Sequence, residues 1–332
     1  MNLAANSLRR FAAVVTAAGL LAACTPHTRP PAPLPPAVLP AGAIQAYATG
    51  DIADCRSAGP EAAVARRTAA LVPAGSLVLG LGDMAYPYAD AATLERCYAP
   101  TWGVHRATTL ATPGNHDYVS GSARAFRAYF NLDERSVSDR FVAFAEPLSP
   151  DWLLIALDSN VAGEDERLQR EWLAQALEAA RPRGASTAHP PRCIAVMWHA
   201  PLYSSGWHRG AGEHMRPSWA LLDRYGADFL LSGHEHFYEA FEPFDAQGER
   251  RHDGEGMRQF VVGTGGARLY GFWRPPYASR ARVLDFGVLQ LTLASDHYAW
   301  RFIDGEGRMR DGGSALCRGS RPATMTSRAD AN

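Results

Sequence analysis

Seven residues of this chain could bind metal ions, and each follows closely after a short apolar run. They are Asp51, Asp83, Tyr86, Asn115, His199, His234 and His236. Carboxylate, imidazole and amide groups together suit Fe, Mn or Zn better than Ca or Cu(I). Seven ligands exceed what one tetrahedral site needs, but they suffice for two ions that share a carboxylate. Two such ions, about 3.5–4 Å apart, can clamp a phosphate and generate hydroxide at neutral pH.

The apolar runs before these residues are typical of buried strands. They span 43–49, 76–81, 108–112, 152–157, 193–198 and 229–232. Helical patterns lie between them, at 60–71, 123–130, 166–180 and 217–225. Alternating strands and helices predict an α/β fold. In open α/β sheets ligands bind at the carboxyl ends of the strands, which is where the candidate ligands stand.

The last third of the chain has a different pattern. Strands are predicted at 260–263, 287–293 and 298–303 with no helix between them, which favours antiparallel sheet. The whole body, 43–310, is therefore predicted to be one α/β domain, a layered β-sandwich of mixed sheets flanked by helices. Residues 311–332 are predicted to be a polar tail.

The first 23 residues are predicted to be an export signal. Arginines at positions 9 and 10 precede an apolar run, 11–23, that is too short to span a bilayer. The run ends at Cys24 in a Leu-Ala-Ala-Cys sequence that resembles the bacterial lipobox, so we expect a lipid on Cys24, a proline-rich tether over 24–42, and attachment to the outer membrane on its periplasmic or outer side. The alternative is an ordinary signal peptide with an incidental cysteine.

Four cysteines remain after Cys24: Cys55, Cys97, Cys193 and Cys317. An even number in an exported protein favours two disulfides, for which three connectivities exist. We favour Cys55–Cys97 and Cys193–Cys317. Free buried thiols are the alternative.

All 33 basic residues in the Lys plus Arg count are arginine, because the chain has no lysine. This excludes P-loop, protein-kinase, pyridoxal Schiff-base and Ser-x-x-Lys chemistry. The formal net charge of −1 gives no indication of a nucleic-acid-binding surface. A protein of this composition that handles phosphate must take positive charge from arginine, histidine or metal.

The five ligand-bearing segments together resemble those of the calcineurin-like metallophosphoesterases, and most closely the purple (tartrate-resistant) acid phosphatases. The segments are Gly50-Asp51-Ile52-Ala53, Gly82-Asp83-Met84-Ala85-Tyr86, Gly114-Asn115-His116-Asp117, Val196-Met197-Trp198-His199 and Gly233-His234-Glu235-His236. The resemblance implies two ions. Fe³⁺ would be held by Asp51, Tyr86 and His236, and Zn²⁺, Mn²⁺ or Fe²⁺ by Asn115, His199 and His234, with Asp83 bridging both.

The resemblance also distinguishes among subfamilies. The wider superfamily commonly has a metal-binding histidine two residues after the first aspartate, where this chain has Ala53. Tyr86 offers a phenolate instead, which favours ferric iron. An aromatic ring that merely packs is the alternative for Tyr86.

The implied reaction is hydrolysis of phosphate monoesters by metal-bound hydroxide, with a histidine that protonates the leaving group. Two histidines are candidates. His116 follows the ligand Asn115, and His208 lies in a loop that resembles the substrate-binding region of the family. We favour His208 as proton donor and His116 as phosphate binder. A phosphodiesterase or nucleotidase on the same scaffold, or a non-catalytic envelope binding protein, are the alternative functions.

Overall fold

The computed structural model describes residues 40–56, 60–119, 121–181, 190–252, 254–275 and 278–320. These residues belong to one compact unit. The predicted export signal, Cys24 and most of the tether lie outside the described residues, as does the end of the predicted tail. Within the described part, no helix has both the length and the apolar character needed to cross a membrane.

The described chain contains fifteen strands and five α-helices. The strands are β1 Ile44–Thr49, β2 Ala53–Asp54, β3 Leu77–Gly80, β4 Ala85–Tyr86, β5 Thr109–Ala111, β6 Phe144–Pro147, β7 Trp152–Ala156, β8 Cys193–Met197, β9 Phe229–Ser232, β10 Tyr238–Phe241, β11 Arg258–Val262, β12 Ser279–Val283, β13 Gly287–Leu293, β14 His297–Asp304 and β15 Met309–Leu316. The helices are α1 Pro60–Ala69, α2 Ala91–Thr93, α3 Arg124–Tyr129, α4 Glu164–Ala180 and α5 Arg216–Arg224. Short π and 3₁₀ turns cover Leu94–Tyr98, Gly103–Thr108, Asn115–Asp117, Glu213–Met215 and Arg318–Ser320.

Two mixed sheets form the body of the protein. The first has the strand order β15-β14-β13-β1-β3-β5, and the second β12-β10-β11-β9-β8-β7-β6. Strands β1, β3 and β5 are parallel to one another, as are β7, β8, β9 and β11. Because parallel strands end at one edge of a sheet, each sheet brings its ligand-bearing loops together there.

Alternate side chains of the second sheet enter two different cores. On β7, Trp152 and Leu154 belong to the core shared with the first sheet, whereas Leu153 and Ile155 belong to a second core. This second core also contains residues of α4 and α5. Successive side chains of a strand point to opposite faces of the sheet, and both faces of this strand are covered by apolar residues. This explains why the strand is a continuous apolar run. The predicted layered fold is confirmed.

The structure corrects two predictions for the last third of the chain. The strand predicted at 260–263 was expected to be antiparallel, but β11 runs parallel to β9 and antiparallel to β10. The predicted tail from residue 311 is also wrong in its first part, because β15 continues the first sheet to Leu316. This edge strand is polar and largely solvent-facing, so it lacks the apolar pattern that reveals a strand.

Both predicted disulfides are present. Cys55 pairs with Cys97 across a Cα separation of 5.8 Å, and Cys193 with Cys317 across 5.2 Å. The second bond joins the start of β8 to the residue just after β15, so it ties the end of the first sheet to the second sheet.

Candidate metal centre

Three of the predicted ligands have left-handed backbone conformations at strand ends. The φ angles are 57° for Asp51, 52° for Asp83 and 69° for His234. Such angles are uncommon for residues with a Cβ and persist only where the surroundings enforce them. The backbone N–H of His234 donates to Asp51 Oδ2 at 2.8 Å, so the end of β9 in one sheet is fixed to the end of β1 in the other. The strained turns direct these side chains into a common space between the sheets.

The first group of donor atoms surrounds the hydroxyl of Tyr86. This oxygen lies 2.8 Å from Asp51 Oδ1, 3.0 Å from Asp83 Oδ2 and 3.1 Å from His236 Nε2. His236 Nε2 is in turn 3.2 Å from Asp51 Oδ1. Ligand atoms at about 2.1 Å from an ion are about 3 Å apart at neighbouring positions, so the spacing of this group fits a single cation.

The second group surrounds the side-chain oxygen of Asn115. Asn115 Oδ1 lies 3.0 Å from His234 Nδ1 and 3.2 Å from His199 Nε2, and these two nitrogens are 3.2 Å apart. His199 Nε2 is also 3.4 Å from Asp83 Oδ2. Asp83, His199 and His234 can therefore share one ion. The two groups meet at a single atom, Asp83 Oδ2.

Backbone carbonyls orient two of the imidazoles. His199 Nδ1 lies 2.7 Å from the carbonyl of Leu81, and His236 Nδ1 lies 2.7 Å from the carbonyl of Arg268. A carbonyl only accepts, so each Nδ1 carries a proton and each ring turns its Nε2 to the centre. Burial opposes protonation of these Nε2 atoms, but the neighbouring Asp83 raises the pKa of His199 to about 10, and Asp51 raises the pKa of His236. A cation in the centre would take the place of these protons.

The electrostatics of the buried acidic groups also favour bound cations. Burial, together with the negative charges of Asp51 and Asp83, raises the pKa of Tyr86 well above its usual value. A phenolate at this position therefore needs a cation beside it. Burial opposes ionisation of Asp83 as well, but nearby His199 and His116 hold the pKa of Asp83 below its usual value. The residues present fit a pair of cations.

Gly82 allows the close approach of three loops. Its φ is +86°, and a Cβ there would lie 2.5 Å from the nitrogen of Gly114 and 2.6 Å from His199 Nδ1. Any side chain at this position would displace the backbone that precedes Asn115 or the ring of His199. The glycine is therefore required by space as well as by its backbone angle.

Asp117 is a buried residue for which the sequence analysis gave no role. It accepts hydrogen bonds from the backbone N–H groups of Asp83 at 2.7 Å, Gly114 at 2.7 Å and Met84 at 3.1 Å. It thereby joins the loop of Asp83 to the loop of Asn115. Burial and the charge of Asp83 raise the pKa of Asp117 to about 8. Its position in the Gly-Asn-His-Asp segment was the available signal.

His116 and His208 lie on different sides of the centre. The His116 ring is 4.5 Å from the Tyr86 ring, with Nδ1 2.6 Å from the carbonyl of Pro87 and Nε2 4.0 Å from Asp83 Oδ2. The His208 ring is 4.9 Å from the ring of His234. Each histidine therefore contacts a different donor group, and both side chains are partly exposed.

The surroundings of His208 include two residues that the sequence analysis did not single out, Glu235 and Tyr270. Tyr270 donates its hydroxyl proton to the carbonyl of His234 at 2.9 Å, so the contact of 3.0 Å between its oxygen and His208 Nδ1 is donated by the histidine. Glu235 is fully buried, and its Oε2 lies 3.6 Å from His208 Nδ1. The sequence could have drawn attention to Glu235, because it stands inside the Gly-His-Glu-His segment. Tyr270 lies in no such segment.

Several solved structures share this fold at low sequence identity. GAP50, described as the anchor in the inner membrane complex of Plasmodium, has a TM-score of 0.63 at 15% identity, over 83% of this chain and 89% of that one. The purple acid phosphatase PPD1 from yellow lupin seeds has a TM-score of 0.62 at 16% identity, over 84% of this chain and 56% of that one. PhoD has a TM-score of 0.58 at 10% identity, over 88% and 72%.

A search of the curated proteins finds no significant match to this chain. The family comparison is decisive, because residues 47–238, more than half of the chain, match the model for the calcineurin-like phosphoesterases. This segment contains all seven candidate ligands as well as His116 and His208. The chain therefore belongs to the calcineurin-like phosphoesterase family.

Proposed function

We propose that this protein hydrolyses phosphate monoesters with two metal ions, in the manner of an acid phosphatase. The observation that carries the proposal is the meeting of two donor groups at Asp83 Oδ2, which is 3.0 Å from the Tyr86 oxygen and 3.4 Å from His199 Nε2. A carboxylate oxygen that belongs to both groups is able to bridge two ions.

The residues divide between the two ions according to the two groups. Asp51, Tyr86 and His236 would hold the first ion, which the phenol favours as ferric iron, and Asn115, His199 and His234 the second, as Zn²⁺, Mn²⁺ or Fe²⁺. Asp83 would contact both. When bound, such ions neutralise phosphoryl oxygens and supply a nucleophile at neutral pH.

The two histidines supply what the ligands do not. His116 holds its Nδ1 proton on the carbonyl of Pro87, which leaves Nε2 directed towards the donor groups and able, when protonated, to bind a phosphoryl oxygen. His208 has its Nδ1 proton on Tyr270 and the buried carboxylate of Glu235 nearby, so its Nε2 can carry and release a second proton. We assign protonation of the leaving alcohol to His208 and phosphate binding to His116.

The function is tested by incubating the purified protein with phosphate monoesters and diesters while measuring bound metals. We expect two metal ions per chain and turnover of monoesters well above that of diesters. Higher turnover of diesters would favour a phosphodiesterase. Absence of all turnover in a fully metal-loaded preparation would contradict the proposed function and favour a binding protein on the same fold.

The Tyr86→Phe substitution tests the proposed iron site. Phenylalanine keeps the ring but lacks the oxygen around which Asp51, Asp83 and His236 gather. A ferric ion bound to the tyrosine gives a strong absorption band in the middle of the visible range, and we expect the substitution to remove most of that band. The matched control Tyr88→Phe, on an exposed neighbour, is expected to keep it. An unchanged spectrum in Tyr86→Phe would show that this oxygen does not bind iron.

We also propose that the protein is exported and anchored by a lipid on Cys24. The two disulfides support export, because such bonds persist in oxidising compartments. Mass spectrometry of the mature N-terminus tests this proposal: a diacylated or triacylated Cys24 is expected, and a chain cleaved without lipid would contradict it.

A further inference from the structure

Exposed aromatic side chains are concentrated around the metal centre. Among the described Phe, Tyr and Trp residues, only three side chains are strongly exposed: Tyr88 at 55%, Trp207 at 63% and Trp273 at 63%. Each lies in a loop that contacts the centre. The Tyr88 ring is 6.0 Å from that of His116, and Trp207 immediately precedes His208. Single exposed apolar residues are ordinary, but restriction of the exposed aromatics to one rim indicates a binding surface.

The two tryptophans form a pair across two loops. Their ring centroids are 4.5 Å apart at an interplanar angle of 64°. The backbone N–H groups of Trp273 and Arg274 both donate to the carbonyl of Ser205, at 2.9 Å and 3.0 Å, which holds the loop of Trp273 against the loop of Trp207. The pair is therefore preorganised, and the rings remain largely in contact with solvent rather than packing into the core.

The loop of Trp207 is also held by a hydrogen bond to the segment that carries His234 and His236. Ser204 Oγ donates to Glu235 Oε1 at 2.9 Å. Glu235 stands in the sequence between the candidate ligands His234 and His236. A Cβ on Gly206 would lie 2.1 Å from Glu235 Oε2, so a side chain at this position would displace the Glu235 carboxylate. The position of the Trp207 loop relative to the metal centre is thus set by Glu235, which also lies beside His208.

A cavity of about 790 Å³ adjoins these loops. Its lining includes Arg209, two residues after Trp207, and Arg274, the residue after Trp273. The lining contains neither tryptophan of the pair, nor His208, nor a candidate metal ligand, so the cavity lies beside the tryptophan loops and is not part of the pair itself.

We infer that Trp207 and Trp273 form an aromatic subsite that selects phosphate esters whose leaving group carries a planar aromatic ring. The inference rests on the proposed function, since it names the substrate class of that same site. The face of an indole ring stacks on planar aromatic rings whatever their substituents, at exposed positions as well as buried ones. Two sources share this chemistry: a nucleobase attached through a sugar, and an aryl ring close to the ester oxygen.

Two matched substrate pairs test the inference and separate these sources. AMP and ribose 5-phosphate differ by the base alone, and benzyl phosphate and cyclohexylmethyl phosphate differ in whether the ring is planar and aromatic. We expect kcat/KM to be about tenfold higher for the aromatic member of at least one pair. A preference in the first pair identifies a nucleobase, and one in the second an aryl group. Equal values within both pairs would overturn the inference.

Variants of the pair locate the effect. In Trp207→Ala and Trp273→Ala we expect the preference to disappear through a higher KM for the aromatic ester, with kcat and the non-aromatic ester little changed. Trp207→Phe keeps a ring and is expected to retain part of the preference. Val104→Ala, a substitution of an apolar residue that is 70% exposed elsewhere, serves as control. A preference that survives both alanine variants would overturn the inference.

A binding measurement keeps this test independent of turnover. If no ester is hydrolysed, the proposed function fails, and equilibrium dialysis with the same four compounds then decides the inference alone. Tighter binding of an aromatic member, lost in Trp207→Ala, would still support the subsite, whereas equal binding of both members in each pair would reject it.

Discussion

Replacement of Asp83 by asparagine is expected to lower kcat for phosphate monoesters by at least about 10³-fold, because the ions supply several kcal/mol of transition-state stabilisation. Asp83 is the one side chain that belongs to both donor groups, through contacts with Tyr86 and His199. Asparagine keeps the size and one oxygen but loses the negative charge that two neighbouring cations require. Activity and metal content of the purified variant, measured together, check this expectation.

Metal stoichiometry separates a shared ligand from an ordinary one. Asp83→Asn is expected to reduce the occupancy of both ions, whereas Asn115→Ala is expected to reduce that of one. Asp151→Asn serves as control, because this aspartate precedes β7 at the opposite end of the strands and, among the described residues, its side chain pairs with Arg192. If Asp83→Asn lost a single ion and kept most of its activity, the bridging role would be wrong. Circular dichroism of the variant excludes unfolding as the cause.

Replacement of His208 by alanine is expected to lower kcat by about 10²- to 10⁴-fold for esters with poor leaving groups and by much less for good ones. A proton on the departing oxygen matters most when the alcohol is a strong base. Phenyl phosphates with different ring substituents provide such a series, and they keep the aromatic ring constant so that binding to the tryptophan pair does not vary. The measured quantity is the slope of log kcat against leaving-group pKa.

A steeper slope in His208→Ala than in the natural protein supports proton donation. An equal loss across the series would instead assign His208 to phosphate binding or to positioning. His297→Ala is the matched control, because this histidine is 40% exposed at the start of β14 and, within the described part of the chain, pairs with Asp296. The same series in His116→Ala is expected to give a uniform loss, in line with binding of the phosphoryl group rather than protonation.

The positions of the ligands could be read from the sequence because they depend on local features. Buried strands are continuous apolar runs, and a polar residue directly after one must lie at the edge of the sheet. This reasoning selected Asp51, Asp83, His199 and His234 as candidates, and the structure places them within reach of one another. The disulfide pairs were also correct, since few pairings were possible.

Other parts of the fold had weak local signals. The parallel pairing of β11 with β9 is decided by how distant segments meet, and no pattern within 258–262 distinguishes it from antiparallel pairing. The edge strand β15 is polar and contains two glycines, of which Gly313 lies against the ring of Trp300, so it resembled a tail. In both cases the information lies in the partner strand rather than in the segment itself.

The sequence by itself determined the kind of site in this protein: which residues can bind metal, that there are enough for two ions, and that lysine chemistry is excluded. Only the tertiary structure decided how these residues are used. It made Asp83 Oδ2 common to both donor groups, placed Asp117 beneath two ligand loops, and paired Trp207 with Trp273 at the rim. The physical reason is that ligand identity depends on side-chain chemistry, which each residue carries alone. The sharing of Asp83 by both groups, the support from Asp117 and the pairing of the tryptophans depend on distances between residues far apart in the chain. These distances are established only when the two sheets pack together.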